Sequence, residues 1–184
     1  MIIGITGTLG AGKGTIGEYL VKKKGFNHFS VRAAVNKEII KRGLPLGRDS
    51  LVTVANDMRK KHGSSYWVEL LYKEAKKSKK NCVIESIRTE GEINNLKKKG
   101  KFILFGIDAN PKIRYERIKK RKSESDDVSY QKFLEDEKRE FTAKDSNAQN
   151  LSRCIELADF KFENNNLRRE LYKKIEKTLK TIGE

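Results

Sequence analysis

The stretch GTLGAGKGT, from Gly7 to Thr15, follows the apolar run MIIGIT and is the most informative part of this sequence. Four of its nine residues are glycine, which weakens helix and strand interiors, so the stretch is expected to form a loop. Its spacing, with four residues between Gly7 and Gly12 and then Lys13, is that of a phosphate-binding loop. Such a loop needs a strand before it and a helix after it. The apolar run before it and the helical spacing of apolar residues after it provide both.

The residue types of this loop suit a phosphate group. Consecutive backbone N–H groups can approach phosphate oxygens only where side chains do not obstruct them, and the start of a helix adds free N–H groups and a positive dipole end. Lys13 can reach the β- and γ-phosphates of a nucleotide. The predicted nucleotide-binding residues are Gly7, Thr8, Leu9, Gly10, Ala11, Gly12, Lys13, Gly14 and Thr15. The general pattern has Ser or Thr directly after the lysine, whereas here Gly14 intervenes and the candidate magnesium ligand is Thr15.

Length and composition indicate a single domain over residues 1–184, with 36% hydrophobic and 36% charged residues. We expect a cytoplasmic protein, since no apolar run reaches membrane-spanning length and the start does not resemble a signal peptide. Cys82 and Cys154 lie far apart without metal-type spacing, and we expect both to be reduced thiols in the core of a cytosolic protein. The net charge of +16 favours an anionic partner such as a nucleotide, a nucleic acid or an acidic membrane. Short lysine runs fall at predicted helix ends, which is typical of a solvated surface.

Strand-like and helix-like segments alternate along the whole chain. Five segments, namely MIIGIT, FNHFS, CVIE, FILFGID and DFKFE, are predicted strands, and helical periodicities separate them. Asn110-Pro111 should open one helix, and Leu167 to Ile182 should form the last. The predicted fold is α/β, in three layers, with about five parallel strands covered by helices on both faces. Ligands of such sheets bind at the carboxyl ends of the strands, where the glycine loop lies.

The form GxxGxGKGT resembles the loop of adenylate kinase and related P-loop kinases, a group that includes deoxynucleotide monophosphate kinases and dephospho-CoA kinase. The resemblance follows the order of elements through most of the chain, and it implies ATP and Mg²⁺ as cofactors. In VIESIRT, Glu85 and Arg88 fall where adenylate kinases have a strand-end aspartate and an arginine that grips the acceptor phosphate. Glu85 would anchor magnesium or its waters, and the planar fork of Arg88 would bind phosphate. A helix-capping carboxylate and a surface arginine are the alternatives.

A third match is RYERIKKR, where Arg114, Arg117 and Arg121 recur at three and four residues on one predicted helix face. The resembled kinases use arginines at the edge of a mobile lid to reach the phosphates. We favour Arg117 and Arg121 for that role, with residues 122–129 as a short lid; a solvated basic helix is the alternative. Residues 30–65 correspond to the acceptor-binding region and contain four arginines: Arg32, Arg42, Arg48 and Arg59. Residues 164–166 lie where relatives contact adenine, and a plain turn is equally consistent with them.

The function expected from the resemblance is transfer of the γ-phosphate of ATP to a small nucleotide, chiefly a nucleoside or deoxynucleoside monophosphate. A hydroxyl acceptor would require a carboxylate base, for which Glu85 is the candidate. Dephospho-CoA kinases carry an aspartate after the second strand, whereas HFSVRAAVNKE has no acid before Glu38. This difference argues against a true dephospho-CoA kinase. A nucleic-acid-associated ATPase is a rival reading, but few aromatic residues flank the lysine runs to stack on bases. The sequence leaves open the acceptor, ATP against GTP as donor, and monomer against homodimer.

Overall fold

A computed structural model describes residues 1–121, 128–142, 145 and 147–183. Five strands alternate with helices along this part of the chain. The strands are β1 (Ile2–Gly7), β2 (Asn27–Ser30), β3 (Cys82–Glu85), β4 (Phe102–Asp108) and β5 (Phe160–Glu163). The helices are α1 (Lys13–Lys24), α2 (Val31–Lys41), α3 (Arg48–His62), α4 (Tyr66–Lys77), α5 (Glu90–Lys97), α6 (Pro111–Arg121), α7 (Tyr130–Phe141), α8 (Leu151–Glu156) and α9 (Arg168–Thr181).

The five strands form one parallel sheet in the order β2-β3-β1-β4-β5. All five predicted strands and their parallel arrangement are thereby confirmed. The first strand is central: Ile5 pairs with Glu85 on one side and with Phe105 on the other. Because the strands are parallel, the loop after β1 and the residues after β3 meet at the same edge of the sheet. That edge carries the glycine loop.

Helices cover both faces of the sheet, which confirms the three-layer α/β prediction. On one face, α2 to α5 and α8 bury a core that includes Trp67, Ile84 and Ile93. On the other face, α1 and α9 pack Leu20 and Ile175 against β1, β4 and β5. The alternation of buried strands with amphipathic helices thus produces two cores separated by the sheet.

The start of α6 agrees with the sequence prediction, and the start of α9 differs from it. Asn110 opens α6 as expected, since its side chain accepts a hydrogen bond from the N–H of Lys112 at 3.0 Å. Leu167 is the N-cap residue of α9 and is 63% exposed, so it does not belong to the buried face of the helix as predicted. Of the predicted lid, residues 122–127 lie outside the described part of the chain. Ser129 caps α7 through the N–H of Lys132.

Among the described residues, no helix combines the length and apolarity that crossing a bilayer requires.

Candidate active site

The glycine loop has the conformation that its sequence predicts. Gly7 adopts φ 148°, and a Cβ there would lie 2.1 Å from the carbonyl oxygen of Ile107. Gly10 adopts φ 78°, and a Cβ there would lie 2.6 Å from the carbonyl oxygen of Arg114. Both positions therefore require glycine for the backbone angle and for space. Gly14 differs, since a Cβ there would meet nothing within 4 Å.

Three polar side chains from outside the loop form hydrogen bonds with it, namely Asp108, Asn164 and Arg114. The Thr8 hydroxyl donates to Asp108 Oδ1 at 2.5 Å. Asn164 Nδ2 donates to the carbonyl oxygen of Ala11 at 2.7 Å, and Arg114 Nη1 donates to that of Leu9 at 3.3 Å. The resemblance places Asn164 where related kinases contact the adenine of ATP. In the structure its side chain is buried and its hydrogen bond to Ala11 holds the loop. Asp108 was not among the site residues predicted from the sequence, although its place at the end of the strand beside β1 was a usable signal.

Lys13 begins α1 and folds back over the loop. Its Nζ donates to the carbonyl oxygens of Gly7 and Thr8, both at 2.8 Å. Burial, and secondarily the nearby charge of Arg88, lowers the pKa of Lys13 to about 7. The ammonium group therefore sits in a site that disfavours its charge until an anion arrives.

Glu85 lies across from Lys13 and is held by a residue that sequence reasoning missed. His28 Nε2, from β2, lies 2.9 Å from Glu85 Oε2. Burial alone would raise the pKa of Glu85, but the hydrogen bond with His28 and the charge of Lys13 outweigh it, so the net pKa is lowered. Glu85 is thus an ionised carboxylate that faces the glycine loop. No spacing in the sequence links His28 to it.

A cleft with a cavity volume of about 420 Å³, open to solvent, lies over the glycine loop; we call it the loop cleft. It is lined by the predicted residues Leu9, Gly10, Gly12, Lys13, Gly14, Thr15, Glu85, Arg88, Arg117 and Arg121, together with Glu18, Arg32, Ser86, Ile118 and Arg168. The other three predicted loop residues, Gly7, Thr8 and Ala11, are buried beneath it. The structure therefore brings the predicted residues to one place.

The donor set of the loop cleft is compatible with Mg²⁺. Thr15 contributes a hydroxyl and Glu85 a carboxylate, both hard oxygen ligands of the kind that Mg²⁺ prefers. Within the described residues, no group of three or more His, Cys, Asp or Glu side chains could hold a metal by itself. The residues present thus fit an ion that keeps most of its ligands as waters and nucleotide phosphates.

The three arginines of α6 occupy two different environments. Arg114 is 3% exposed and forms an ion pair with Glu137 on α7. Arg117 and Arg121 line the loop cleft. Among the described residues, Nη1 of Arg117 is buried without a hydrogen-bond partner, and burial lowers the pKa of this guanidinium. Arg114 therefore supports the loop, whereas Arg117 presents an unsatisfied donor beside the cleft.

A second cleft adjoins the first, and we call it the arginine cleft. It is lined by two kinds of side chain: apolar ones, namely Val31, Val35, Leu51, Val52 and Ala55, and polar ones, namely Arg32, Arg48, Arg59, Arg88, Glu140 and Gln149. Its cavity volume is about 50 Å³, so it is narrow in this structure. Leu9, Arg32, Ser86 and Arg88 line both clefts. Ser86 adopts φ 73°, an uncommon left-handed angle for a residue other than glycine.

The four arginines of residues 30–65 divide by location. Arg32 and Arg48 line the arginine cleft. Arg59 also lines it, but is fully buried and donates to Glu92 Oε1 through Nε and Nη2. Arg42 lies elsewhere, paired with Glu38 and Asp57. The sequence alone does not show which of these four arginines line the arginine cleft, because that depends on how α2 and α3 pack.

Glu140 on α7 is a further residue of the arginine cleft that the sequence analysis missed. Its carboxylate accepts from Arg48 Nε at 2.8 Å and from Arg88 Nη1 at 2.5 Å. Burial opposes its ionisation, but the charges of Arg88 and Arg48 prevail and lower the pKa of Glu140 to about 2. Nη1 of Arg48 remains buried without a hydrogen-bond partner among the described residues. One carboxylate thus joins α7 to both arginines.

The main chain of Arg88 is also fixed from below. Glu92 Oε2 accepts from the backbone N–H groups of Arg88 and Thr89 at 2.7 and 3.2 Å. Thr89 and Glu92 form a capping box at the start of α5. Because Glu92 also binds Arg59, the buried pair positions the backbone from which Arg88 extends into both clefts.

Comparison with known proteins identifies the family and the fold. A sequence profile for the AAA domain matches residues 3–145. A UPF0200 protein of Methanocaldococcus jannaschii is 32% identical over 163 residues, which cover 87% of this chain and 79% of that protein. One from Methanococcus vannielii is 35% identical over 162 residues, covering 86% and 84%.

Two solved structures have the same fold. A gluconokinase from Sinorhizobium meliloti superposes with a TM-score of 0.63 at 15% identity, covering 98% of this chain and 91% of that one. A shikimate kinase from Aquifex aeolicus superposes with a TM-score of 0.57 at 19% identity, covering 98% and 96%. The chain therefore has a P-loop kinase fold.

Proposed function

Since this chain belongs to the AAA domain family and to the UPF0200 proteins, we propose that it is a P-loop kinase that transfers the γ-phosphate of ATP to a small nucleotide, with nucleoside and deoxynucleoside monophosphates as the acceptor class. The observation that carries this proposal is the common wall of the two clefts. Arg32, Ser86 and Arg88 border both the loop cleft and the arginine cleft. A triphosphate on the glycine loop and an anion among the arginines would meet at that wall.

The residues of the loop cleft would hold the donor. The loop N–H groups and Lys13 bind the phosphates, while Arg117 and Arg121 reach the transferring group from α6. Magnesium bound near Thr15 and Glu85 would supply further charge neutralisation at the phosphates. The unsatisfied Nη1 of Arg117 supports this arrangement, because an anion beside it would remove the cost of a buried unpaired donor.

The arginine cleft would hold the acceptor. Its apolar side chains could pack against the face of a base or sugar, and Arg48 and Arg88 could bind a phosphate group. Arg88, which borders both clefts, would orient the acceptor oxygen towards the γ-phosphate.

The state of the carboxylates favours a phosphate acceptor over a hydroxyl. A phosphate oxygen is already anionic, whereas a hydroxyl requires a general base with a pKa near the working pH. The pKa of Glu85 is lowered and that of Glu140 falls to about 2, so both are weak bases. A small hydroxyl acceptor is the second candidate, because Glu85 faces the glycine loop and the similar structures include a gluconokinase and a shikimate kinase.

The proposal is tested by an acceptor screen. The protein is incubated with ATP and Mg²⁺ and with each nucleoside monophosphate, each deoxynucleoside monophosphate, dephospho-CoA, gluconate or shikimate, and ADP release is measured. We expect turnover with one or a few monophosphates and its loss in Lys13→Ala. Turnover with a hydroxyl compound alone would support the second candidate. ADP release that needs no acceptor, or that survives in Lys13→Ala, would refute the kinase assignment.

A further inference from the structure

The positive charge of this chain is concentrated in three short segments, each directly before a strand. Residues 22–27, 76–81 and 97–101 together contain eleven lysines and no aspartate or glutamate. Without those eleven, 30 of the 41 basic residues remain against 25 acidic ones. The rest of the chain is therefore nearly balanced, and most of the net charge of +16 lies in these segments.

The topology places all three segments at one end of the molecule. They begin in the last turns of α1, α4 and α5 and lead into β2, β3 and β4. These strands start in register with β1, since Cys82 pairs with Asn27 and with Ile2, and Ile2 pairs with Phe102. The segments thus meet at the amino edge of the sheet, opposite the glycine loop. We call this surface the basic pole; it spans the sheet, because α1 lies on one face and α4 and α5 on the other.

The lysines of the basic pole are available to solvent. Ten of the eleven are exposed, and Lys24 is half-buried. Three form ion pairs with carboxylates: Lys22 with Glu18, Lys24 with Glu176, and Lys97 with Asp159. The other eight have no carboxylate partner in the part of the chain that the structure describes. Most of the charge at this pole is therefore not neutralised within the described fold.

Helix capping does not account for this arrangement. A lysine in the last turn stabilises a helix through its dipole, but the effect fades beyond that turn. Lys79, Lys80 and Lys101 lie past the helix ends, and Lys79 adopts a φ of 53°, which is uncommon for a residue other than glycine. Like charges at this density repel one another and destabilise the folded chain. A charge concentration that goes beyond capping indicates an anionic ligand.

We propose that the basic pole binds the phosphodiester backbone of a nucleic acid without reading its sequence. The segments contain lysine with Gly, Ser and Asn, and their one apolar residue, Phe26, is buried. A membrane-surface site usually adds exposed apolar side chains that insert into the lipid. Base recognition would call for side chains placed at base edges or stacked on bases, whereas lysine contacts to phosphate suit the backbone. The six residues of β1 separate this surface from the glycine loop by about 20 Å, so both could be occupied together.

Binding is measured by fluorescence anisotropy with labelled RNA and DNA, as single strands and as duplexes of about 20 base pairs, across a series of salt concentrations. The pole variant carries Lys76→Gln, Lys79→Gln, Lys98→Gln and Lys101→Gln. The control variant loses the same charge elsewhere, through Lys37→Gln, Lys41→Gln, Lys60→Gln and Lys138→Gln. Thermal melting checks that both remain folded, and vesicles containing phosphatidylserine test the membrane alternative by co-sedimentation.

We expect the unmodified protein to bind with an affinity that falls steeply as salt rises. The pole variant should bind about tenfold more weakly or worse, with the salt slope reduced by about one for each lost phosphate contact, while the control variant keeps most of its affinity. Equal losses in both variants, no binding by the unmodified protein, or binding to vesicles but not to nucleic acid would each overturn the proposal. ADP release by the pole variant is expected to be unchanged, so the outcome is separate from that of the proposed kinase reaction.

Discussion

At the scale of single residues, Lys13 links nucleotide binding to protonation. Its pKa is about 7 in the ligand-free fold because the ammonium is buried, and a triphosphate on the loop would raise it. At a pH between the pKa of Lys13 in the free protein and its higher pKa in the complex, Lys13 is neutral in the free protein and protonated in the complex. Binding of the nucleotide therefore takes up a proton. We predict proton uptake on binding of ATP at about pH 8, and affinity that falls as the pH rises above 7. Calorimetry in buffers of different ionisation enthalpy measures the uptake.

The matched control for that experiment is Lys13→Met, which keeps much of the side-chain volume and removes the titrating group. Protons that the nucleotide itself exchanges persist in this variant, and the uptake assigned to Lys13 is the difference between the two proteins. The same proton uptake in both would contradict the assignment.

Removal of each of two neighbouring arginines of α6 is expected to have a different effect, one on activity and the other on stability. Arg117→Ala removes a cation that we place beside the transferring phosphate, so kcat should fall by about a thousandfold with the fold intact. Arg114→Ala removes the partner of Glu137 and a hydrogen bond to Leu9, so the free energy of unfolding should fall by about 3 kcal/mol. Steady-state kinetics and urea denaturation of both variants separate the two effects. Equal stability losses in the two would contradict the distinction.

At the scale of elements, Glu140 joins α7 to the start of α3 and to the segment after β3. Among the described residues, Glu140→Gln would leave Arg88 without a carboxylate partner and Arg48 with Asp136, whose Oδ2 lies 3.9 Å from Nη1 of Arg48, and we expect it to cost about 3 kcal/mol of unfolding free energy. Inorganic phosphate should stabilise this variant more than the unmodified protein, because it can replace the lost charge between the arginines. Denaturation with and without phosphate measures this, and Glu135→Gln, exposed on the same helix, is the control.

The same contact has a defined pH window. The folded-state pKa of Glu140, about 2, lies below its ordinary value of 4.5, so its stabilisation is fully present above pH 4.5 and is lost as the pH falls towards 2. The difference in unfolding free energy between the unmodified protein and Glu140→Gln should therefore shrink over that interval. A constant difference from neutral pH down to pH 2 would show that packing, not charge, holds α7.

At the scale of the whole molecule, occupation of the clefts should stabilise the fold. With ATP and Mg²⁺ at about one hundred times the dissociation constant, linkage adds about 2.7 kcal/mol, which for a chain of this size raises Tm by about 5–10 °C. A monophosphate that fits the arginine cleft should add its own increment, and one that does not fit should add none. Differential scanning calorimetry measures both, with Lys13→Ala as the variant in which the ATP shift is largely lost.

Much of this architecture follows from short-range patterns. The glycine spacing from Gly7 to Gly12 is dictated by backbone angles and by contacts that exclude a Cβ, so the loop was recognisable from nine residues. The five strands and the helices between them follow from apolar periodicity, since strands buried on both faces and helices buried on one leave different patterns. Periodicity also placed Arg117 and Arg121 on a helix that begins directly after the strand beside β1.

Contacts between distant segments carried no such pattern. Glu140 lies 52 residues from Arg88 and 92 from Arg48, and within EDEKRE it looks like any solvated carboxylate. His28 and Glu85 are 57 residues apart, and Thr8 and Asp108 are 100 apart. These pairs exist because the order β2-β3-β1-β4-β5 sets their strands side by side and because α7 borders the arginine cleft through Glu140. The spacing of residues in the sequence determines which of them share one face of a helix or strand. Which polar side chains from distant segments pair with one another is determined by how the helices and strands pack.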